Sequence, residues 1–412
     1  MPKARLLVAA TVLAAMALPG ITYASCSNKN YGIDLLVENI ELESAERGVR
    51  CENTAEDFFD LLSDSGFSSI VSNYDEAAIA AGQVSFNGLP MLVDFESTGP
   101  ELRFRVPELG IDVRFEGSDR DASADMLVDY IKKSGILSQI VKYQAENTPN
   151  SPITGPGGMI PSAAATDFDA ALSDTIREIR GGGDADSPTL SLGASWGSMN
   201  LDGKKGEVTN LPLSRVWRST EVPGRVFTLS GALTHVKVAG AASYHGGLGV
   251  AYRMPVSSRW ALTPSLRYSV TGSADLATVA GLYSIGLSST YHIPLAGMDL
   301  VIGNMAGYHK TTKLSIGDYS FSPDIKTWAL RNGVMLAQPI NLMGLPLAVE
   351  YSLVDTRYTG GTRFFVDNTQ EIGVSLGTNR SGNVAKSFAR FGLRYLRGRD
   401  SNTMSLSGSY WF

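Results

Sequence analysis

From about residue 188 to the end of the chain, apolar residues alternate with small or polar residues. In the segment 345–353 the odd positions hold leucine, valine or tyrosine, and Ala348, Glu350 and Ser352 lie between them. Comparable alternation occurs in the segments 260–270, 283–293, 372–377 and 389–395. A period of two is typical of β-strands whose two faces meet different surroundings. The pattern therefore predicts antiparallel β-structure in the C-terminal half of the chain.

The alternating segments can be counted as twelve strands. The predicted strands are 189–199, 208–219, 225–238, 243–254, 259–271, 280–293, 298–310, 325–338, 345–357, 369–379, 386–398 and 403–412. The second is the weakest, because Pro212 and Arg215 interrupt its alternation, and counts of ten or fourteen also remain open. An even number of antiparallel strands, each about ten residues long, is typical of single-chain transmembrane barrels. We therefore predict a transmembrane β-barrel over residues 184–412, in a fold that is mainly β.

Alternate connections between the predicted strands are short and contain proline, which is typical of the periplasmic turns of such a barrel. These connections are 220–224, 255–259, 294–297 and 339–344. The opposite set includes the longer, polar connections 311–324 and 358–368. The face of the strands without apolar residues would line the lumen. The charged residues expected there are Arg253, Arg267, Arg331, Lys386, Arg390, Arg394, Asp299 and Glu350.

The last nine residues, 404–412, alternate without interruption. One face carries Met404, Leu406, Gly408, Tyr410 and Phe412. A final phenylalanine with an aromatic residue two positions earlier resembles the assembly signal of bacterial outer-membrane β-barrels. The usual signal has glycine five positions before the end, where this chain has Ser407. The resemblance implies localisation in the bacterial outer membrane, contact with outer-membrane lipid and recognition by the barrel-assembly machinery. An edge strand of a soluble domain is the alternative interpretation.

A segment rich in proline and glycine, 148–161, precedes the strands and is predicted to be a linker. The next region, 162–183, is predicted to hold one helix over 162–180, ended by three glycines. Its apolar residues at helical spacing are Phe168, Leu172, Ile176 and Ile179. Thr166 or Asp167 could cap its start.

A helix joined by a few residues to a twelve-stranded barrel resembles the translocator β-domain of the bacterial type V autotransporters. In that family a helix threads the pore and links the barrel to a surface passenger. The resemblance covers about residues 162–412, and the upstream chain departs from it, because the long β-helical repeats of most passengers are missing. A helical connector in the periplasm is the alternative.

If the helix lies in the pore, Phe168, Leu172 and Ile176 should pack on the lumen wall. Its acidic residues are Asp167, Asp169, Asp174 and Glu178, and these should meet the inward-facing arginines. Arg390 and Arg394 are the expected partners, because they lie on a strongly alternating strand.

The N-terminal region, 25–147, has a different charge from the rest of the chain. Residues 26–147 contain 23 acidic and 10 basic residues, a net charge of −13, whereas 151–412 carry +5. Alternating segments at 84–86, 102–106 and 111–115 are separated by glycines, and helical stretches flank them at about 54–65 and 121–145. These features predict a small, acidic α+β domain.

The first 24 residues resemble a secretory signal peptide. Lys3 and Arg5 precede an apolar core at 6–18, and Thr22 and Ala24 fit the small-x-small cleavage pattern. A short membrane anchor and a lipoprotein attached through Cys26 are the alternatives. Export would carry Cys26 and Cys51 into an oxidising compartment, where we expect a disulfide between them.

Several motifs with established chemistry are missing from the sequence: no phosphate loop, CxxC pair or HExxH is present. The cluster Asp119–Asp125 superficially resembles a calcium loop, but Ala124 and Tyr130 occupy the required glycine and glutamate positions, so a capped helix start is predicted. The four histidines fall on separate predicted strands. We therefore predict no enzymatic activity and no cofactor, with a barrel esterase as the alternative. The net charge of −6 argues against nucleic-acid binding.

Two functions fit these observations. The first is an autotransporter-like protein that anchors its N-terminal domain and displays it at the cell surface, where it would meet a receptor. The second is an outer-membrane channel or structural barrel whose N-terminal domain lies in the periplasm and meets a periplasmic partner there.

Overall fold

The computed structural model describes residues 26, 29–76, 78–179, 190–316, 319–378 and 388–412. These residues belong to two compact units that divide between Ile136 and Leu137. The predicted signal peptide, the glycines at 181–183 and Lys386 lie outside the described residues.

The N-terminal unit is built on a six-stranded antiparallel sheet with the strand order β2-β1-β3-β4-β5-β6. Its strands are β1 (Tyr31–Asn39), β2 (Ser44–Glu52), β3 (Ala78–Phe86), β4 (Leu89–Phe95), β5 (Leu102–Val106) and β6 (Ile111–Phe115). Its helices are α1 (Ala55–Asp60), α2 (Asp64–Ile70) and α3 (Arg120–Lys133). The predicted small α+β fold is confirmed.

Two predicted helical stretches of this region are each divided in the structure. The stretch 54–65 forms the short helices α1 and α2, because Ser63 caps a second helix start by accepting a hydrogen bond from Gly66 N. The stretch 121–145 is interrupted after α3 at Gly135, whose φ of +77° cannot continue a right-handed helix.

The predicted disulfide between Cys26 and Cys51 is present and joins residues 25 positions apart. It ties the start of the described chain to β2. Gly32 on β1 lies directly beneath it, and a Cβ atom at this position would come within 2.5 Å of Cys26 Sγ. The bridge therefore depends on a residue without a side chain at position 32.

The C-terminal unit contains a closed barrel of twelve antiparallel strands, in which β20 pairs with β7 to complete the ring. The barrel strands are β7 (Leu190–Leu201), β8 (Lys204–Arg218), β9 (Val226–Val238), β10 (Ala241–Pro255), β11 (Trp260–Ser273), β12 (Thr278–Leu295), β13 (Met298–Thr312), β16 (Lys326–Leu342), β17 (Leu345–Thr359), β18 (Asn368–Thr378), β19 (Phe388–Gly398) and β20 (Ser401–Trp411). A small hairpin of β14 (Leu314–Ile316) and β15 (Tyr319–Phe321) lies between β13 and β16. Two helices precede the barrel, α4 (Ile136–Asn147) and α5 (Met159–Ile179). The predicted fold class and the count of twelve strands are confirmed.

The strand that the sequence predicted least clearly, β8, accommodates its proline at a gap in the ladder. The β7–β8 pairing runs up to Leu192 and Leu213 and resumes at Ser195 and Asn210. Pro212 lies within this gap, so its missing N–H does not remove a ladder hydrogen bond to β7. Arg215 points outward and lies over the ring of Trp217 at 5.2 Å.

The outer face of the barrel is apolar and the inner face is polar. Leu233, Leu248 and Phe391 are about two-thirds exposed, at 67%, 68% and 68%. Serine and threonine side chains at the intervening positions, such as Thr263 and Ser288, are buried inside the ring. This distribution is the reverse of a soluble protein and matches a barrel surrounded by lipid. No helix in the described part of the chain is long and apolar enough to cross a bilayer.

We distinguish the two ends of the barrel by their connections. The turn end carries Phe412 and the connections 296–297 and 343–344, and the loop end carries the longer connections 313–325 and 360–367. Length alone does not separate the ends, because the loop-end connections 202–203, 239–240 and 399–400 are also tight hairpins.

Candidate functional site

Helix α5 lies inside the barrel and packs against β10, β11, β12 and β13. Its apolar face forms one buried cluster with the inner wall. The helix contributes Met159, Ile160, Ala163, Ala164, Phe168, Leu172 and Ile176, and the wall contributes Ala280, Leu282, Val301, Met305, Ala329, Met335 and Val354. The three apolar residues singled out in the sequence, Phe168, Leu172 and Ile176, are therefore all on the face that meets the wall.

Two glycines form a hollow in the wall for this face. Gly303 on β13 and Gly333 on β16 are direct register partners. A Cβ atom at Gly333 would lie 3.0 Å from Cζ of Phe168, and one at Gly303 would lie 2.7 Å from Cδ2 of Leu172. The helix approaches the wall closely because both positions lack side chains. Arg331 lies beside the hollow, with its guanidinium carbon 5.2 Å from the centroid of the Phe168 ring.

The acidic residues of α5 are held by polar groups of the wall. Asp167 accepts hydrogen bonds from Nε and Nη2 of Arg267 at 2.9 and 2.7 Å. Asp169 accepts one from Nη2 of Arg394 at 3.0 Å. Arg394 also lies 3.4 Å from Glu371, so it joins the helix to a wall carboxylate.

The final turns of α5 make a second group of polar contacts. Asp174 accepts a hydrogen bond from the hydroxyl of Thr228 at 3.0 Å, and Glu178 pairs with Arg218 at 3.1 Å. Arg253 donates to the carbonyl oxygen of Gly224 at 2.6 Å, and its Nε lies 3.5 Å from the hydroxyl oxygen of Thr175 on α5. These contacts fix the helix at the turn end, since β8 ends at Arg218 and β9 begins beside Thr228.

One of the two arginines expected to meet the helix acids, Arg390, forms an ion pair with a carboxylate of the wall. Arg390 pairs with Glu350 of the wall at 3.0 Å, and Glu350 also accepts a hydrogen bond from Ser375. The contact seen for Arg390 is therefore with a wall carboxylate, whereas Arg394 meets Asp169 of the helix. The sequence could not identify this, because Glu350 and Arg390 lie on β17 and β19 and meet across β18.

The start of α5 also differs from the prediction. The helix begins at Met159, so Thr166 is in its interior and donates to the carbonyl oxygen of Ser162, and Asp167 faces Arg267. Neither residue caps the helix. The segment predicted as a linker is compact instead. Residues 149–156 are buried, and Met159 N and Ile160 N donate to the carbonyl oxygens of Pro152 and Ile153.

The helix runs from the loop end to the turn end. Gly157, just before its start, lies next to Met199 and Val236, which are close to the loop ends of β7 and β9. Glu178, near its end, meets Arg218 at the turn end. The chain before α5 stays at the loop end: Ser322 N donates to Ser138 Oγ at 2.9 Å and Phe365 N donates to Ala145 O at 3.1 Å.

The polar face of α5 borders a cavity of about 380 Å³ inside the barrel. Asp169 and Ser173 of the helix face it from one side. The opposite wall is formed mainly by residues of β7–β9 and β17–β20, among them Glu350, Glu371, Arg390 and Arg394. The cavity is thus a polar, charged half of the lumen, whereas the other half is filled by the apolar face of the helix.

The lumen also contains a serine–histidine pair. Ser284 Oγ lies 2.8 Å from Nδ1 of His309, and each residue is 1% exposed. Neither residue borders the cavity. No group of three or more potential metal ligands occurs among the described residues. The Asp119 cluster is a helix start: Asp119 caps α3 by accepting a hydrogen bond from Ala122 N, which lowers the pKa of the carboxyl group.

The residues of the C-terminal pattern form the seam that closes the barrel. Leu406, Tyr410 and Phe412 are exposed on the outer face, and the rings of Tyr410 and Phe412 lie 5.8 Å apart. Gly408 has the ring of Phe391 beside it, 3.3 Å from where a Cβ atom would be. The backbone of Phe412 exchanges two hydrogen bonds with Leu190, at 2.9 and 3.0 Å.

Comparisons with known proteins identify similar folds. No family model matches the sequence, and no curated protein matches it. The chain is similar to the β-domain of the Bordetella autotransporter Brka, with 14% identity, a TM-score of 0.41 and coverage of 55% of this chain and 99% of that one. It is also similar to the translocator domain of the autotransporter NalP from Neisseria meningitidis, with 11% identity, a TM-score of 0.42 and coverage of 61% and 96%. An outer-membrane channel from Pseudomonas putida F1 matches with 12% identity, a TM-score of 0.34 and coverage of 56% and 98%.

The geometry of the chain itself defines the class of protein. A closed antiparallel ring leaves no unpaired strand edge, and its apolar residues face outward. Residues 190–412 therefore form a transmembrane β-barrel of the bacterial outer-membrane type.

Proposed function

We propose that this protein is an autotransporter-like component of the outer membrane that displays its N-terminal unit at the cell surface. The observation that carries the proposal is the path of α5, which enters the lumen at the loop end and leaves it at the turn end. The long connections of outer-membrane barrels are extracellular and the short turns are periplasmic. With that orientation, the chain before α5 leaves the barrel on the extracellular side.

The contacts of residues 137–158 support this path. Val141 and Ala145 share a buried cluster with Tyr358 and Phe364 of the loop end. The buried prolines and glycines that follow fit closely, since a Cβ atom at Gly155 would lie 2.2 Å from Pro149 O. A segment packed in this way holds the chain at the loop end, so the residues before it would be tethered on the same side of the membrane.

The partners that follow are outer-membrane lipid around the barrel, the barrel-assembly machinery that would recognise the β20 seam, and a receptor for the displayed unit. The net charge of −13 on residues 26–147 favours a basic partner surface. A catalytic role is not proposed, because Ser284 and His309 are sealed from the cavity by their burial.

Labelling of intact cells tests the display. Thr98 is exposed in the N-terminal unit, Lys313 is exposed at the loop end and Met343 is 96% exposed at the turn end. A cysteine at each position would be reacted with a membrane-impermeant maleimide, since both native cysteines are in a disulfide. We expect T98C and K313C to react on intact cells, and M343C only after the outer membrane is permeabilised. If K313C reacts on intact cells and T98C does not, the result would contradict surface display.

The cavity beside α5 favours a second candidate, an outer-membrane channel. Planar-bilayer recordings separate the two functions. Display with a plugged pore predicts that the full chain conducts poorly and that deleting residues 159–179 opens a channel. Arg267 and Arg394 would then lose their helix partners, so the open pore should favour anions. A full chain that already conducts as well as the deletion variant would support the channel.

A further inference from the structure

Two lysines lie directly opposite each other on the outer face of the barrel. Lys310 and Lys326 are register partners in the β13–β16 pair, and both are exposed. The next residues, Thr311 and Thr327, are buried on the lumen side, so the lysines are on the lipid side. Opposed residues of an antiparallel pair have Cα atoms about 4.5–5.5 Å apart. Like charges at such a position destabilise a sheet unless an anion offsets them.

The level of this pair in the membrane is marked by aromatic rings. Two positions closer to the turn end, Tyr308 and Trp328 are also register partners, and their ring centroids are 5.3 Å apart. Aromatic girdles of outer-membrane barrels lie at the boundary between hydrocarbon and headgroups. The two ammonium groups therefore lie just beyond the hydrocarbon, at the depth where lipids carry their phosphates.

The surroundings of the pair are open to a ligand. On the other side of Lys310, its register partner is Tyr283, whose side chain is 57% exposed on the outer face. In the part of the chain that the structure describes, neither lysine ammonium has an acidic partner. The row Tyr283–Lys310–Lys326 thus presents one hydroxyl and two ammonium groups to the membrane.

We propose that this row binds a phosphorylated lipid headgroup of the leaflet next to the loop end. A phosphate between Lys310 and Lys326 would accept hydrogen bonds from both ammonium groups and neutralise their repulsion. The acyl chains of the same lipid would lie along the apolar wall below Trp328. The site depends on the barrel spanning the membrane and not on the side of the membrane that the N-terminal unit occupies.

Another lysine of the same rim provides a matched control. Lys237 near the loop end of β9 is also exposed and outward-facing, but its register partner is Glu207. Its direct register partner is an acidic residue, whereas that of Lys310 is a second lysine. We expect Lys237 to contribute little to lipid binding.

Lipid titration of the full chain in detergent, followed by native mass spectrometry, tests the proposal. The probes are a bis-phosphorylated lipid A and its dephosphorylated form, which has the same acyl chains. Each basic residue near a charged membrane surface contributes about fivefold to binding. We therefore expect K310Q/K326Q to bind the phosphorylated lipid about 25-fold more weakly than the parent and to bind the dephosphorylated lipid as the parent does. K237Q should bind both lipids as the parent does.

A charge-reversal variant separates binding from a structural role. K326E would face Lys310 with the opposite charge, so it should raise the unfolding temperature in lipid-free detergent while weakening the binding of lipid A. The proposal is overturned if K310Q/K326Q binds as tightly as the parent, if K237Q loses as much, or if an equal concentration of inorganic phosphate displaces the lipid.

Discussion

Asp167 of α5 and Arg267 of β11 form a charge pair that is almost completely excluded from solvent. Their side chains are 8% and 2% exposed, and Arg267 also donates a hydrogen bond to Ser230 at 2.8 Å. Removing one partner of such a pair leaves the other charge buried without compensation. The pair therefore fixes the rotation and depth of the helix inside the barrel.

Arg267→Gln should destabilise the folded barrel by about 3–5 kcal/mol, because Asp167 would remain buried without its cation. Thermal unfolding in detergent, followed as the loss of the fast-migrating unboiled form on gels, measures the change. The control is Arg357→Gln, which removes an exposed pair with Asp355 in which the side chains are 71% and 35% exposed. We expect at most about 1 kcal/mol there. Equal effects of the two substitutions would show that burial does not matter at Arg267.

Phe168→Ala should cost about 3–5 kcal/mol, because it empties the hollow formed by Gly303 and Gly333. Gly333→Ala should also destabilise the barrel, since the new methyl group would press on the Phe168 ring. In the double variant the methyl group has room. The loss of stability of the double variant should therefore be smaller than the sum of the losses of the two single variants. Strict additivity in a double-mutant cycle would argue that the ring and the glycine are not in contact.

Removal of Phe412 should block assembly into the outer membrane while leaving export intact, because the residue exchanges two backbone hydrogen bonds with Leu190 at the seam. Fractionation of membranes and periplasm, with comparison of boiled and unboiled samples, gives the readout. Phe412→Trp keeps the backbone bonds and an aromatic ring and should assemble normally. Normal outer-membrane levels of the truncated chain would refute the assigned role of the seam.

Gly32→Ala should prevent formation of the Cys26–Cys51 bridge, because a Cβ atom would come within 2.5 Å of Cys26 Sγ. Loss of a bridge that closes a loop of this length lowers stability by about 3 kcal/mol. Free thiols titrated in the folded chain measure the effect. Gly99→Ala is the control, since its nearest neighbour would be Ser97 Oγ at 3.6 Å. A fully formed bridge in the Gly32 variant would contradict the prediction.

Strand number and strand faces could be predicted from the sequence, because a period of two reports directly on which side of a sheet a residue lies. The inward position of Arg267 followed from this period, and the wall-facing position of Phe168 followed from the helical spacing of its apolar neighbours. The partner of Arg390 did not, since it depends on how β17, β18 and β19 are staggered. The compact fold of residues 149–156 was missed for a similar reason: prolines and glycines indicate turns, and only tertiary contacts decide whether those turns are buried.

The pairing of Lys310 with Lys326 was also beyond the sequence. These strands are joined by a 13-residue connection that contains its own hairpin, so their register cannot be counted from the turn. Each lysine alone is an ordinary charged residue at a strand end. Only their common position on the outer face, above Tyr308 and Trp328, gives them a shared ligand.

The enclosure of α5 has a consequence for the order of events during biogenesis. A complete hydrogen-bonded ring has no lateral opening. A helix that is held inside the lumen by contacts at both ends therefore cannot enter through the side of the finished barrel. Either α5 is in place before β7 and β20 pair, or its residues pass through one end of the closed barrel as extended chain. In the second case, and with the N-terminal unit displayed as proposed, the residues ahead of α5 would also cross as extended chain, and the six-stranded sheet and its disulfide would be completed only after passage.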